Sequence, residues 1–265
     1  MPQLGAYDII SIVGIPIYVG FLACAIWLCV KHGFFNSEGW HFIIIIAISR
    51  LISFGLRLAL LSDPANMSIW LGWVVINSLG LGPLILLLLS LVMHVFECIN
   101  RQGHVVLRPL YQRVIKLLVL VAIILSIVGG TNSSYGIEGG VISIKFNALT
   151  HVGTGLLIGA TVILCGEAGL ALRCHMQGFA AQREHRIILG VLASLPFVIL
   201  RLVYSCLTVL AHINSSVWLY LCLAILTEVA VVLMLEVLGL MLEKIPRRTK
   251  GQNDPEMLTF EQSKQ

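Results

Sequence analysis

Seven ionisable side chains stand inside stretches that are otherwise apolar enough to cross a bilayer: Arg50, Arg57, His151, Glu167, Arg201, Glu228 and Glu236. A charge at the centre of the hydrocarbon costs about 3 kcal/mol on insertion scales, so each such group needs a partner, a wet cavity or a task. Counting about 1.5 Å of rise per residue from the span ends sets Arg201 about ten residues below the outer end of its helix and Glu228 about eleven below that of the next. The two are therefore level across a short hairpin, and the spacing predicts a guanidinium–carboxylate pair that satisfies both. Arg50 lies at a similar depth, on one face of its helix with Arg57.

Polar neighbours extend this set. Asn147, His151 and Thr154 share one helical face, Trp70, Trp73 and Asn77 share another, and Tyr204 lies one turn from Arg201. The expectation is a polar pocket at or outside the membrane midplane, walled by Leu, Ile and aromatic side chains, with Arg50, Arg57, Asn77, His151, Arg201 and Tyr204 as ligand-binding groups. Three arginines against one or two acids leave positive charge over, which favours an anionic or oxygen-rich ligand. The bland alternative stands beside it: buried Arg, Glu, Asn and His often only hold helices together. Glu167 and Glu236, nearer the opposite end, are expected to snorkel or to pair with loop arginines.

The elements that position these groups follow from composition. With 58% hydrophobic and 11% charged residues and a mean hydropathy of +0.96, the chain cannot cover itself with polar surface. Apolar runs at 8–30, 41–61, 70–95, 114–130, 147–172, 187–211 and 217–242 each reach the roughly 20 residues that a spanning helix needs. They lack strand alternation, and a spanning helix satisfies its own backbone, so the fold class is all-α, a polytopic seven-transmembrane-helix bundle. Pro16, Pro83 and Pro196 lie inside spans, and the bends at Pro83 and Pro196 are expected near the midplane. Gly155 and Gly159 form a GxxxG that predicts close helix packing.

Loop charge sets the orientation. Arg101, Arg108 and Arg113, then Arg173, Arg183 and Arg186, then Lys244, Arg247, Arg248 and Lys250 cluster on one side, which is assigned to the cytosol. The N-terminus is then outside or lumenal and the C-terminus cytosolic. The N-x-[ST] sequons at Asn66, Asn132 and Asn214 all fall in the charge-poor loops and agree, as candidate glycosylation sites close to the membrane. Residues 1–242 are read as the transmembrane domain, its first helix retained because no basic n-region precedes it, and 243–265 as a disordered cytosolic tail.

Other chemistries lack their residues. The seven cysteines show no CxxC spacing, the histidines no ligand spacing, and there is no DDxxD, HExxH, GxSxG or Walker motif, so no metal and no cofactor is expected. The basic residues form no stripe with interleaved aromatics, so the expected partners are a lipophilic small molecule and membrane lipid, with no nucleic acid.

The stretches EGWHFIIIIAISRLISFGLRLAL, INSLGLGPLILLLLSLV, ILSIVGGT, SLPFVILRLVYS and SSVWLYLCLAILTEVAVV resemble a family of small fungal seven-helix membrane proteins, and the resemblance covers almost the whole chain. Proteins similar to these include membrane-bound terpene cyclases of meroterpenoid biosynthesis. The resemblance implies a non-metal cyclase of secondary metabolism, in which a carboxylic acid protonates an epoxide or alkene of a farnesylated precursor, in the endoplasmic reticulum or another endomembrane. It identifies no active site. Among the residues present, Glu228 is the candidate acid with Arg201 as its orienting partner, and Asp63, near the outer mouth, is the substitute donor should a tight arginine keep Glu228 ionised. Seven helices fit equally a lipid or metabolite exporter, which moves its substrate unchanged, or a receptor-like sensor.

Overall fold

The computed structural model describes residues 4–32, 39–63, 66–101, 109–138, 141–176, 182–210 and 216–241. The expected tail at 243–265 and the sequon at Asn214 lie outside them. Along the chain come α1 (Ala6–His32), α2 (His41–Ser62), α3 (Met67–Ser78), α4 (Leu81–Arg101), α5 (Pro109–Thr131), β1 (Ser134–Glu138), β2 (Val141–Lys145), α6 (Ala148–Met176) and α7 (Gln182–Val209). The last span is built from a single turn, α8 (Val217–Leu219), a π-helical segment (Tyr220–Leu226) and α9 (Thr227–Met241). Seven helical segments are long and apolar enough to cross a membrane, as the sequence predicts. The one addition is an antiparallel hairpin, with Ser134 opposite Lys145 and Glu138 opposite Val141, in the loop between the fourth and fifth spans.

The third span, α3 with α4, is the axis of the bundle. In its most apolar window 83% of the residues are buried, against 28–50% in the other six. Every residue from Leu81 to Val92 is inside, which is where a helix that is apolar all round must go. Helices α2, α5, α6 and α7 pack around α4, while α1 closes against α2 and α9. The outer faces of α1 and α5 carry exposed Ile9, Ile12, Val13, Leu117, Leu120 and Ile124. Such faces suit contact with lipid chains.

Two backbone irregularities interrupt the axis and its neighbour at the same level. The helix of the third span breaks at Leu79 and Gly80, where the Leu79 N–H turns back to the Ile76 carbonyl. Pro83 explains why the break lies there, because in the first turn of α4 it has no N–H to give the Leu79 carbonyl and its ring crowds that oxygen. A bend expected at Pro83 is thus a full interruption four residues earlier, whereas Pro16 and Pro196 sit in helices that continue through them. In the last span the π segment widens the helix just before Glu228.

The glycine reading needs correction. Nothing lies within 4 Å of a Cβ built on Gly155 or Gly159, so that GxxxG packs against nothing within the described residues. The close approach of α5 and α6 runs through Gly129 and Gly153 instead: a Cβ on Gly129 would meet the Thr150 backbone nitrogen at 2.4 Å, and one on Gly153 the Ser126 Oγ at 2.5 Å. Spacing within one helix does not reveal which face it turns to a neighbour.

Candidate functional site

Five side chains from five spans converge where the third span breaks. Measured along their helices at about 1.5 Å per residue, Tyr18, Arg50, Asn77, Arg201 and Glu228 lie about 12 to 18 Å below the outer helix ends, which is mid-membrane. Arg50 clasps Glu228 with two bonds: Nε donates to Oε1 at 2.6 Å and Nη2 donates to Oε2. Its Nη1 donates to Asn77 Oδ1 at 2.6 Å, and the Tyr18 hydroxyl donates to Glu228 Oε1 at 3.0 Å. Arg201 stands one step back. Its Nη2 donates to the Asn77 main-chain carbonyl at 3.0 Å, and its Nε is 3.8 Å from Glu228 Oε2, too far for a hydrogen bond. In an unbroken helix that carbonyl would accept from residue 81, so the break at Leu79–Gly80 opens the acceptor that Arg201 uses.

Gly80 lets the backbone come this close. A Cβ there would lie 2.6 Å from Glu228 Oε2 and 2.9 Å from Arg50 Nη2, within the ion pair itself. Gly80→Ala is therefore expected to destabilise the folded protein by about 1–3 kcal/mol through overpacking. Thermal unfolding in detergent, followed by the loss of the monodisperse peak, checks this; a melting temperature equal to that of the wild type would contradict the close approach.

The expected partner of Glu228 is corrected by this geometry. Arg50, not Arg201, takes the two-bond position, because depth along a helix does not fix the direction in which a side chain points. The surplus charge moves accordingly. Two guanidinium groups face one carboxylate, and Arg201, only 1% exposed, keeps Nε and Nη1 without hydrogen-bond partners. Glu228 cannot act as the general acid in this arrangement, since both oxygens accept from guanidinium or phenol donors and neither is free to hand on a proton.

An aromatic layer leads from the outer face towards this cluster. Arg57 donates from Nε to Asp8 Oδ1 at 2.9 Å and stacks over the rings of Tyr7 and Trp73 at 5.2 and 5.3 Å. Asp8 also accepts from the Gly5 N–H at the start of α1. Tyr220 lies 5.5 Å from Tyr7 and 6.3 Å from Tyr204, and the Arg201 guanidinium covers Tyr204 at 5.2 Å. Arg57 is thus neutralised locally, leaving Arg201 as the cation without a counter-charge of its own.

The remaining sequence-predicted residues fall elsewhere. Asp63 is exposed at the outer end of α2 and accepts from Asn66 Nδ2, while Asn66 Oδ1 caps α3 through the Ser68 and Ile69 N–H groups. Asn132 is exposed in the turn after α5. Asn147 is engaged at the start of α6, where its Oδ1 accepts from the Leu149 N–H. His151 and Thr154 also belong to α6, and Thr154 returns its hydroxyl to the Thr150 carbonyl. The hydrogen bonds described among Tyr18, Arg50, Asn77, Arg201 and Glu228 join α1, α2, α3, α7 and α9. Glu167 and Glu236 do not snorkel: they are 3% and 4% exposed. The expected open chamber between the charges is also corrected. Tyr18, Arg50, Arg201 and Glu228 are packed to 1% exposure or less, and an apolar crevice among the described residues lies towards the inner end, between Val92, Val95, Ala168, Ala171, Ile188 and Val191, too narrow for a water molecule.

Sequence reasoning missed Tyr18, Asp8, Gly80 and Tyr7. The stretch SLGLGP carries a signal for the break, two glycines and a proline within a span. Tyr18 carries none, since a tyrosine in an apolar helix reads as core.

Fold and site together define a polytopic seven-helix membrane protein with an ion cluster sealed at mid-membrane. More particularly, the chain belongs to the family described as a domain of unknown function, DUF7702, whose model matches residues 4–245. No curated protein and no solved structure matches the chain.

Proposed function

We propose that this protein binds a small amphipathic anion, an apolar chain with a carboxylate or phosphate head, at mid-membrane and passes it across. The carrying observation is Arg201, a fully buried guanidinium with two nitrogens that have no partner beside a carboxylate already taken by Arg50. Two buried guanidinium groups sharing one carboxylate leave a net positive charge that is unfavourable in the membrane, so a site of this kind supports the approach of a negative group. The interrupted third span and the π segment of the seventh add to the case. Carriers place substrate sites near the midplane, where discontinuous helices turn their positive N-terminal ends towards anionic groups, and α4 begins at this point. Glu228 occupies part of the site in this closed form, as an internal anion that a substrate would compete with.

The same charge balance weighs against carbocation chemistry, which a surplus guanidinium would repel. A second reading keeps the membrane-bound terpene cyclase on one observation, the aromatic group of Tyr7, Trp73, Tyr204 and Tyr220, whose faces favour cations. Asp63 would then be the proton donor, and a prenylated precursor the substrate, in the endoplasmic reticulum or another endomembrane. One experiment separates the two. Proteoliposomes are offered a radiolabelled prenyl monophosphate, whose charged head prevents unaided crossing, and the internal label is identified by mass and chromatography. Saturable entry of the unchanged molecule supports the carrier. Absence of entry refutes it, and recovery of a cyclised isomer favours the cyclase.

A further inference from the structure

The inner half of the bundle holds a second polar site that none of the foregoing uses. Glu167 of α6 is 3% exposed, and neither of its carboxylate oxygens has a hydrogen-bond partner. On the neighbouring helix, Gln112 is 2% exposed and its Nε2 is equally without one. The two are level. The seam of α5 and α6 is fixed by Gly129 beside Thr150 and Gly153 beside Ser126, and continuing that antiparallel register towards the inner end puts Gln112 at the level of Glu167, without a hydrogen bond between them. Lys116, one turn along α5 from Gln112 and half-buried, is the cation whose field reaches Glu167, and it is shared with Glu97 of α4. No ion pair within 4.0 Å forms at Glu167 among the described residues. On its other side, Ala168 and Ala171 line an apolar crevice with Val92, Val95, Ile188 and Val191, and nearer the inner end His175 of α6 stacks on His185 of α7, beside buried Glu184.

A bare carboxylate cannot remain in such surroundings. Transfer of an ionised carboxyl from water without a paired charge is so unfavourable that the group instead gives up its charge or takes up a cation. Among the described residues no third His, Cys, Asp or Glu gathers to hold a metal ion. Gln112 supplies an amide, which can accept from a carboxylic acid through its oxygen and donate to it through its nitrogen.

We infer that Glu167, level with Gln112 along the α5–α6 seam, is a proton-binding site that exchanges with the inner face of the membrane. One proton from water adds to one carboxylate oxygen and leaves by the same route, with no other bond made or broken. Gln112 lies in the first turn of α5, and Glu167 lies about 14 Å along α6 from its inner end at Met176, so both belong to the inner half of the bundle. The site stands on its own geometry and does not depend on the anion at Arg201.

Infrared spectroscopy of the intact protein in lipid nanodiscs tests the site without any substrate. At neutral pH the wild type is expected to show the carbonyl stretch of a protonated carboxylic acid, shifted by heavy water and lost in Glu167→Gln. Glu236→Gln serves as the companion variant and should leave that part of the band in place. A wild-type spectrum with no protonated-acid band overturns the inference with no variant needed, as does a band that Glu167→Gln leaves unchanged. Replacing sodium by a large organic cation should have no effect. A band that rises only when sodium is withdrawn would mean that the carboxylate holds a metal cation, which also overturns it.

Discussion

Glu228→Ala is expected to be the most damaging single substitution in the chain, destabilising the folded state by about 3–5 kcal/mol, the range for breaking a buried ion pair from one side. The reason is the charge it leaves behind. Among the described residues Glu228 is the only carboxylate paired with Arg50 and Arg201, both 1% exposed, and it is the acceptor for Tyr18 as well. Without it two like charges face each other in a medium that screens them poorly. Glu228→Gln should lie between, since the amide oxygen still accepts one bond while the counter-charge is gone. The sharper expectation concerns the double variant. Arg50→Leu with Glu228→Leu removes both members of the tight pair, and replacing a buried pair with apolar groups is often neutral or better, so much of the lost stability should return. Chemical denaturation in mixed micelles, read as a double-mutant cycle, measures the coupling. Additive losses would mean that the two residues do not act as the pair the geometry describes.

How far the sequence disclosed this arrangement depends on the kind of information each feature needs. Seven spans and the midplane level of Arg50, Arg201 and Glu228 follow from hydrophobic run length and a constant rise per residue, which are properties of single helices. Pairing is a property between helices. Three charges at one level admit several partners, and only the rotation of α2 against the last span gives Glu228 to Arg50. The π segment at Tyr220–Leu226 changes that rotation, and its sequence, YLCLAIL, does not differ in composition from an ordinary apolar helix. Asp8 shows a related gap. Placed at the edge of the first span, it reads as a water-facing residue, yet it is 3% exposed because Arg57 reaches up from α2 to meet it. The charge imbalance that the residue types foretold is real, but it rests on Arg201 and not on Arg50. The glycines err in the opposite direction, since Gly155 and Gly159 carry the familiar spacing while Gly129 and Gly153, on different helices, make the close contact.

Arg201→Met is expected to do the reverse of Glu228→Ala: it should leave the fold intact and weaken the binding of an anion by about ten- to a hundredfold, the roughly 1.5–3 kcal/mol that a hydrogen bond to a charged group contributes. Stability survives because Arg201 is the surplus member of the cluster. Its single hydrogen bond goes to the Asn77 carbonyl, and the loss of that bond, about 1.5–3 kcal/mol, is offset by bringing Arg50 and Glu228 to net neutrality. Methionine keeps the length and apolar stem of the side chain, so no large void opens. Arg50→Met offers the necessary contrast, for it strips Glu228 of both strong donors and should unfold the protein as readily as Glu228→Ala does. Equilibrium binding of the radiolabelled prenyl monophosphate to nanodisc-embedded protein, set beside thermal unfolding of the same preparations, reads both quantities. A guanidinium kept for a ligand costs stability in the ligand's absence, whereas one kept to hold helices together supplies it. If Arg201→Met proves as unstable as Arg50→Met and binds the anion no more weakly than the wild type, Arg201 is part of the frame and the anion reading fails.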